Sequence, residues 1–278
     1  MKIYKVNNGA VIFDGNTCQL IHLDWNVLLI QDDLRTYLTD LLSEGQPTEL
    51  QNHKILKPIG DNQELWACGV TYLRSKIGRQ EESKTSGGSD FYEKVYHADR
   101  PEVFFKANPS RIVGHQEGIR IRQDSTWDVP EPELTLVVSP SGKIIAYTIG
   151  NDMSSRSIEG ENPLYLPQAK TYDACAALGP CLSLTNPFDD TSTKIHLEIV
   201  RKETSVFTGE VELSQMKRKA EELVSYVYKE CSFPFGCFIM TGTGIVPPND
   251  FTLQQGDIVH IAIDGIGTLT NIVKTDKM

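Results

Sequence analysis

Three carboxylate side chains between residues 127 and 152 have the spacing of a metal site. Glu131 and Glu133 lie two residues apart, and Pro130 and Pro132 favour an extended backbone, in which such side chains point to the same side. Carboxylates held this close do not all ionise without a cation between them. An all-oxygen ligand set suits Mg²⁺, or alternatively Mn²⁺ or Ca²⁺, better than zinc. The spacing therefore predicts a site for a hard divalent cation.

A hairpin brings the third carboxylate to the same place. The turn residues at 140–142 predict that Val138 faces Ile144, and counting outward from the turn places Asp152 within one or two residues of Glu131. The side to which Asp152 points stays open, because a β-bulge in the hairpin would reverse it. An alternative also stays open, in which the two glutamates form the solvated side of an edge strand.

Further polar residues follow the apolar run that ends near residue 150. The stretch 151–156 reads Asn-Asp-Met-Ser-Ser-Arg, and burying so many hydrogen-bonding groups is costly unless something organises them. Lys170, beside a metal, would supply a cation for an anionic substrate or an enolate. Taken alone, Lys170 also fits a solvated surface lysine.

The elements that position these residues indicate an α+β, mostly β fold. Residues 1–62 read as a small N-terminal α+β domain, with β-rich runs at 2–6, 10–14 and 18–22 and helical spacing of apolar residues from Leu29 to Leu42. The principal domain spans 63–278 and is mostly strand and loop. It contains a predicted hairpin at 195–213, a helix with apolar residues from Met216 to Val227, and a buried strand near 256–267.

One long polar insertion interrupts the principal domain. Residues 73–98 carry many charged side chains, a Gly-Gly pair and few apolar anchors. A segment of this kind within a compact domain is typical of a lid over a site or of a solvated loop.

Composition excludes several classes of function. The 278 residues carry 27 Lys+Arg against 37 Asp+Glu, a net charge of −10, which disfavours binding to nucleic acid. No apolar run approaches the roughly 20 residues of a membrane span, and the amino terminus lacks the apolar stretch of a secretory signal. The six cysteines form no CxxC pair and read as reduced core residues, so a cytoplasmic location is expected. Glycine-rich phosphate loops are missing, which argues against a nucleotide cofactor.

The order of these motifs resembles the fumarylacetoacetate hydrolase superfamily over about residues 64–275. The matching motifs are Glu131-x-Glu133, Gly150-Asn151-Asp152-x-Ser154-x-Arg156, Lys170 followed by Ala177-Leu178-Gly179-Pro180, Thr241-Gly242-Thr243-Gly244, and Gly256-Asp257 through Gly265-Ile266-Gly267 and Asn271. The resemblance implies the mixed β-sandwich roll of that family, built around a metal. The stretches 127–133 and 158–170 look most like its 2-dehydro-3-deoxy-D-arabinonate dehydratase branch.

The resemblance also implies roles for individual residues. Glu131, Glu133 and Asp152 would be the metal ligands, and Lys170 the active-site lysine near the 2-oxo acid substrate. The substrate contacts implied are Thr243, Arg156 and Lys106, and the lid carboxylates Glu81 and Glu82 are candidates for proton transfer beside Lys170. His97, like Glu81 and Glu82, could close over the site, and each of the three also fits an ordinary surface residue.

One departure from the family pattern bears on the reaction. Hydrolases of the family carry a water-activating His-x-x-Glu dyad on the lid, whereas this chain has Ser75 and Gly78 at those positions after Thr71-Tyr72. The departure favours lyase chemistry, in which a Mg²⁺-dependent dehydratase removes water from a 2-dehydro-3-deoxy sugar acid and gives 2,5-dioxopentanoate.

Two alternatives to the dehydratase are carried forward. One is a metal-dependent acylpyruvate or fumarylacetoacetate-type C–C hydrolase, or a 2-oxo acid decarboxylase, that uses the same ligands. The other is a sugar-acid binding module without catalysis. The resemblance also implies a homo-oligomer, a dimer or tetramer.

Overall fold

The computed structural model describes residues 1–82 and 89–276, and for Glu82 and Ser89 it describes the backbone alone. The strands are β1 (Lys2–Val6), β2 (Gly9–Phe13), β3 (Cys18–Ile21), β4 (Gln46–Pro47), β5 (Glu64–Gly69), β6 (Glu102–Ala107), β7 (Ile112–Val113), β8 (Gly118–Arg120), β9 (Asp128–Val129), β10 (Pro132–Val138), β11 (Ile144–Asp152), β12 (Ser154–Ser155), β13 (Ala176–Ser183), β14 (Lys194–Arg201), β15 (Thr204–Glu212), β16 (Cys237–Met240), β17 (Ile258–Ile263) and β18 (Gly267–Lys274). The helices are α1 (Trp25–Leu29), α2 (Leu34–Leu41), α3 (Leu73–Glu82), α4 (Ser89–His97), α5 (Arg156–Glu161), α6 (Leu166–Lys170) and α7 (Ala220–Val227).

Two β-sheets make up most of the fold. The larger sheet has the strand order β4-β3-β2-β1-β13-β11-β10-β16-β5-β6, with β7 added beside β13. The smaller sheet has the order β15-β14-β17-β18-β8, and its strands pack against β10, β11 and β13 of the larger one. Apolar side chains from both sheets belong to one continuous core. The predicted mostly β, α+β fold of the sandwich-roll type is confirmed.

Strands β10 and β11 lie near the centre of the larger sheet. All seven residues of β10 are buried. Strands β11 and β16 pair with its two edges, and β14 of the smaller sheet packs against it. Its Val and Leu residues form the near-continuous apolar run expected of a strand buried on both faces. Glu133 and Thr135 are the polar exceptions within this run, and through Glu133 the sheet itself holds a carboxylate inside the protein.

The N-terminal segment forms the strands that its sequence predicts, and these strands extend the larger sheet. Strand β1 pairs antiparallel with β13, placing Lys2 opposite Ser183. The predicted helix at 29–42 starts only at Leu34, because Asp33 caps it by accepting a hydrogen bond from the Thr36 N–H. A division into separate domains at residue 62 stays a prediction.

The polar insertion contains two helices, α3 and α4. Lys76 on α3 pairs with Glu93 on α4, with 2.8 Å between the two charged groups. The guanidinium group of Arg218 holds the end of α4 by donating to the backbone carbonyls of Val95 at 3.2 Å and Asp99 at 3.0 Å. The alternative of an unstructured solvated loop is therefore wrong for 73–82 and 89–97. The segment between these helices falls outside the described residues.

Two other elements behave as predicted. Strands β14 and β15 form the expected hairpin, and α7 carries buried residues along one side. The helix begins at Ala220, so Met216 precedes it. Within the described residues, no helix is long and apolar enough to cross a membrane.

Asp128 in β9 is a buried carboxylate whose charge should oppose folding. It is 3% exposed, its Oδ1 atom has no hydrogen-bond partner among the described residues, and burial raises its pKa to about 6. Between about pH 4 and pH 6 the native state therefore holds a proton that the unfolded chain has released, so raising the pH through this interval lowers stability. We expect Asp128→Asn to be as stable as the parent near pH 4 and more stable at pH 8, by at most about 3 kcal/mol.

Urea unfolding at both pH values tests this prediction. Asp124→Asn serves as the matched control, because Asp124 is largely exposed and its bidentate pair with Arg122 lowers the pKa of Asp124. Asp124→Asn should therefore be no more stable to urea than the parent at pH 8. Equal stability of Asp128→Asn and the parent at both pH values would contradict the prediction.

Candidate active site

The three carboxylates that the sequence singled out meet at the ends of β10 and β11. Glu131 precedes β10, Glu133 is its second residue, and Asp152 is the last residue of β11. One oxygen from each lies within 4.8 Å of the others. All three residues are at most 4% exposed. The alternative of a solvated edge strand is therefore wrong, while the role of these residues as metal ligands stays a prediction.

A β-bulge decides which residue joins the two glutamates. Val138 pairs with Ile144 as predicted, but the next pair is Val137 with Ala146, so Ile145 is the extra residue. The shift places Asp152 opposite Glu131, where the Asp152 N–H donates to the Glu131 carbonyl at 2.9 Å. Because residues directly opposite on paired strands share a side, the bulge puts the Asp152 carboxylate on the side of the glutamates.

Glu133 is the most crowded of the three carboxylates. Burial first, and then the negative charges of Asp152 and Glu131, raise the pKa of Glu133 well above its ordinary value. The Gly242 N–H donates to its Oε2 at 2.5 Å. Gly242 has φ of +91°, and a Cβ there would lie 2.1 Å from the Thr71 hydroxyl, so only glycine lets this backbone approach the carboxylate.

Lys170 lies directly on the carboxylates. Its ammonium group bonds to Glu131, to Asp152 Oδ2 at 3.0 Å and to the Ser154 hydroxyl at 2.6 Å. The side chain is 1% exposed, so the reading of Lys170 as a solvated surface lysine is wrong. Helix α6 ends at Lys170 and presents the side chain to the end of β11.

Lys106 and Arg156 complete the ring of charges behind the carboxylates. The Lys106 ammonium lies 2.5 Å from Asp152 Oδ1 and also bonds to the Lys170 carbonyl. Burial opposes ionisation of Asp152, but Lys106 and Lys170 outweigh it and lower the pKa of Asp152. Arg156 Nη2 donates to Glu131 Oε1 at 2.7 Å. Lys106, Arg156 and Lys170 thus pair with two of the three buried carboxylates, Glu131 and Asp152.

A small cavity opens between these groups, with room of about 10 Å³, roughly one water molecule or ion. Besides the three carboxylates it is lined by Lys170, Thr243, Ser75 and Arg79, among others. Lys106 and Arg156 do not line it. Their charged groups bind Asp152 and Glu131, which makes them positioning residues and does not support the predicted contact with substrate.

The predicted lid residues are placed differently. Glu81 does not line the cavity, and the side chain of Glu82 falls outside the described residues. His97 pairs with Glu93 at 3.0 Å and its side chain is 62% exposed, so the proposed closure of His97 over the site is not seen.

Two residues to which the sequence analysis gave no role in the site line its cavity. Arg79 extends from α3 into the cavity wall and forms an ion pair with Glu159 on α5, and both side chains are buried. Ser75, at the position of the family's lid histidine, also lines the cavity and donates to the Tyr72 carbonyl at 2.8 Å. The sequence gives no signal for the Arg79–Glu159 pair, because 80 positions separate its members.

The donor set fits a hard divalent cation. Glu131 and Asp152 each face cationic side chains, whereas Glu133 forms no ion pair within the described residues and sits against two other carboxylates. A divalent cation shared by the three oxygens would remove the repulsion that opposes ionisation of Glu133. Oxygen ligands and a cavity the size of one ion are what Mg²⁺ requires.

Comparison with known proteins gives concordant matches. Residues 78–274 match the family model described as fumarylacetoacetate (FAA) hydrolase, C-terminal. The chain is 50% identical over 216 residues to a probable 2-keto-3-deoxyxylonate dehydratase of Haloferax volcanii, covering 77% of this chain and 73% of that protein. It is 45% identical over 231 residues to the 2-dehydro-3-deoxy-D-arabinonate dehydratase of Saccharolobus solfataricus, covering 81% and 76%.

A solved structure matches along the entire chain. It is a 2-keto-3-deoxy-D-arabinonate dehydratase complexed with magnesium and 2,5-dioxopentanoate, with a TM-score of 0.85, 38% identity and full coverage of both chains. The fold derived above is therefore the fold of a dehydratase that has been captured with a metal and a five-carbon dioxo acid.

Proposed function

The chain belongs to the fumarylacetoacetate hydrolase family, and from this membership we propose that it is a Mg²⁺-dependent dehydratase of a 2-dehydro-3-deoxy sugar acid. The substrate is an acid such as 2-dehydro-3-deoxy-D-arabinonate, and the product is 2,5-dioxopentanoate. One observation carries the proposal: the buried cluster of Glu131, Glu133 and Asp152 with Lys170 directly on it.

Glu131, Glu133 and Asp152 are the residues that would hold the cation. When bound, Mg²⁺ supplies Lewis-acid chemistry, which favours loss of a proton next to the 2-oxo group. The protein's own contribution is to fix the three carboxylates, through Lys106 and Arg156, in a site without bulk water. Low water content strengthens every electrostatic interaction within the site.

Lys170 is the group placed to move a proton at C3 of the substrate. Lys170 lines the cavity, and the Ser154 hydroxyl accepts a hydrogen bond from its ammonium group at 2.6 Å. In its neutral form the amine accepts the C3 proton, and in its charged form it returns a proton during tautomerisation. Loss of the C3 proton and of the C4 hydroxyl removes one water and leaves a C3–C4 double bond. Proton transfer from C5 to C3 then gives the C5 enol, whose hydroxyl proton moves to C4 to give the C5 aldehyde.

Arg79 and Glu159 are placed to assist departure of the C4 hydroxyl. They close the cavity on the side of α3, and the present volume admits an ion or water but no five-carbon acid. Substrate entry therefore requires α3 to move outward and Arg79 to exchange part of its contact with Glu159 for the substrate. A guanidinium group beside the C4 oxygen stabilises the charge of a leaving hydroxide.

A set of variants separates this role from a structural one. Removing one member of a buried ion pair costs about 3 to 5 kcal/mol, so Arg79→Met and Glu159→Met should each be destabilised. The double variant should regain stability, because it leaves no unpaired buried charge. We expect its kcat to remain at least about 100-fold below that of the parent. Thermal unfolding and steady-state kinetics give the two readouts, and restored activity in the double variant would show that the pair only holds the fold.

A product assay tests the proposed function itself. Purified protein with Mg²⁺ is offered 2-dehydro-3-deoxy-D-arabinonate and, separately, a simple acylpyruvate, each with an EDTA control, and the products are resolved by mass. Loss of one water from the sugar acid, abolished by EDTA, supports the dehydratase. Cleavage of the acylpyruvate with uptake of water, or loss of CO₂ from the sugar acid, would replace it with the hydrolase or the decarboxylase. Turnover of neither compound would contradict the proposal.

We further propose that the enzyme is a cytoplasmic homo-oligomer. All six cysteines are free, as expected in a reducing compartment. Large apolar side chains are exposed close together in sequence at Leu164 and Tyr165, with Phe91 exposed on α4, and such surface is typical of subunit contacts. Light scattering of the purified chain tests the oligomeric state.

A further inference from the structure

A second cavity, separate from the carboxylate cluster, contains three arginines. It measures about 440 Å³, and its wall includes Arg111, Arg120 and Arg122 together with Thr171 and Tyr172. The chain as a whole carries a net charge of −10, whereas the wall of this cavity carries three guanidinium groups against the two carboxylates of Asp124 and Asp173. A local field of this kind attracts anions irrespective of the net charge of the protein.

The carboxylates near this cavity neutralise its arginines incompletely. Arg122 is fully paired, since Nε and Nη2 bind the two oxygens of Asp124 at 2.8 and 2.6 Å. Arg111 and Arg120 share Asp173, at the long distances of 3.9 and 4.0 Å. Two guanidinium groups therefore face a single carboxylate that lies beyond hydrogen-bonding distance of both.

The guanidinium group of Arg120 is buried with too few hydrogen-bond acceptors around it. Its side chain is 8% exposed, and its Nε atom has no hydrogen-bond partner among the described residues. Its other nitrogens reach the carbonyls of Asp173 at 3.5 Å and Thr275 at 3.3 Å, which are long contacts for a guanidinium group. A buried donor without an acceptor carries a desolvation cost that a bound anion would remove.

We propose that this cavity binds a small oxyanion with two or more negative charges, such as phosphate or a short dicarboxylate. Oxygen pairs of such anions match the planar fork of donors that arginine presents. Arg120 binds the anion from the buried end and Arg111 from the half-exposed mouth, and Thr171 also lines the cavity. This site lies apart from the carboxylate cluster, and it would bind an anion, whereas the cluster would bind a cation.

The bound anion would lie next to the segment that carries Lys170. Thr171 follows Lys170 directly, and its hydroxyl donates to the Lys106 carbonyl at 3.0 Å. The Tyr172 ring has the Arg122 guanidinium 5.6 Å and the Lys106 ammonium 6.0 Å from its centre. An anion in the cavity is therefore connected to both active-site lysines through two consecutive residues.

Isothermal titration tests the proposal with full-length protein stripped of metal and freed of chelator, at low ionic strength. Inorganic phosphate and succinate are titrated separately, and chloride serves as the monovalent comparison. We expect phosphate, succinate or both to bind with Kd of about 1 mM or tighter, and chloride not to bind in this range. The two titrations distinguish a phosphate ligand from a dicarboxylate.

Variants then locate the bound anion. Arg120→Gln and the half-exposed Arg111→Gln should each weaken binding at least about tenfold, because each removes a charge-assisted contact. Arg100→Gln is the matched control, since Arg100 stacks on Tyr226 outside the cavity, and its affinity should equal that of the parent. If Arg120→Gln does not fold, the affinity of Arg111→Gln for the anion still tests the proposal.

Three results would overturn the proposal. One is that neither dianion binds the parent protein at about 10 mM, ten times the expected Kd. Another is binding that is unchanged in Arg111→Gln and in folded Arg120→Gln. The third is a change of oligomeric state in these variants without a change in anion affinity, which would assign the cavity to a subunit contact.

Discussion

Glu133→Gln is expected to abolish turnover and to leave the metal-free protein at least as stable as the parent. Glutamine keeps the shape of the side chain and can still accept the Gly242 N–H, but it cannot supply a charged metal ligand. Metal ions contribute several kcal/mol to stabilising charge in a transition state, which corresponds to a loss of about 10³-fold or more in kcat.

The stability side of this prediction follows from the crowding of Glu133. In the metal-free protein its carboxylate is buried against Asp152 and Glu131, and both raise its pKa after burial itself. A neutral amide removes that repulsion, so thermal unfolding of metal-free Glu133→Gln should occur at the same temperature as the parent or higher. Added Mg²⁺ should stabilise the parent and not the variant, since only a bound ligand shifts the unfolding equilibrium.

Glu117→Gln is the control for the glutamate substitution. Glu117 also accepts a backbone N–H, from Gly114 at 2.6 Å, and lies outside the carboxylate cluster. The control should retain the turnover and the Mg²⁺-dependent stabilisation of the parent. Turnover by Glu133→Gln within tenfold of the parent would remove Glu133 from the proposed ligand set.

Lys170→Met is expected to lower kcat by about 10² to 10⁴-fold while Mg²⁺ binding persists. That range is the usual contribution of a general acid or base. The fold should survive, because Glu131 keeps Arg156 as its partner and Asp152 keeps Lys106. Affinity for Mg²⁺ should stay equal or increase, since the Lys170 ammonium occupies carboxylate oxygens that a metal would share.

Lys106→Met is the matched control for Lys170→Met. Both lysines are buried and both contact Asp152, but only Lys170 lines the cavity. We expect Lys106→Met to lower the melting temperature and to change kcat less than Lys170→Met does. Metal titration, thermal unfolding and steady-state kinetics on both variants give the comparison. A kcat for Lys170→Met within tenfold of the parent would exclude Lys170 from proton transfer.

The carboxylate cluster could be predicted from the sequence because the residues that bring it together are close to one another in the chain. Two prolines set an extended backbone around Glu131 and Glu133, and a turn ten residues away set the approximate pairing with Asp152. The burial of these carboxylates could not be predicted from neighbouring residues in the same way. The alternative of a solvated edge strand stayed open at that stage, because the pairing of β16 with β10 joins residues about 100 positions apart.

The Arg79–Glu159 pair could not be predicted for a related reason. Each residue belongs to a short helix of ordinary polar composition, and neither spacing nor periodicity links α3 to α5. The same helix shows why the sequence of 73–98 predicts a lid or a solvated loop and no helix. Leu73 and Ile77 remain exposed, so α3 lacks the fully buried apolar side that identifies most helices in a sequence.

The extra residue at Ile145 makes the ligand set depend on chain length as well as on residue identity. With the bulge kept, an in-frame insertion of one codon between residues 146 and 151 would bring Asn151 opposite Glu131 and turn Asp152 to the other side of the strand. Every ligand would still be encoded, and an alignment would still show each one in place. A gene can therefore lose this site through a position that touches no ligand, and relatives that differ in length between residues 138 and 150 cannot be assumed to share it.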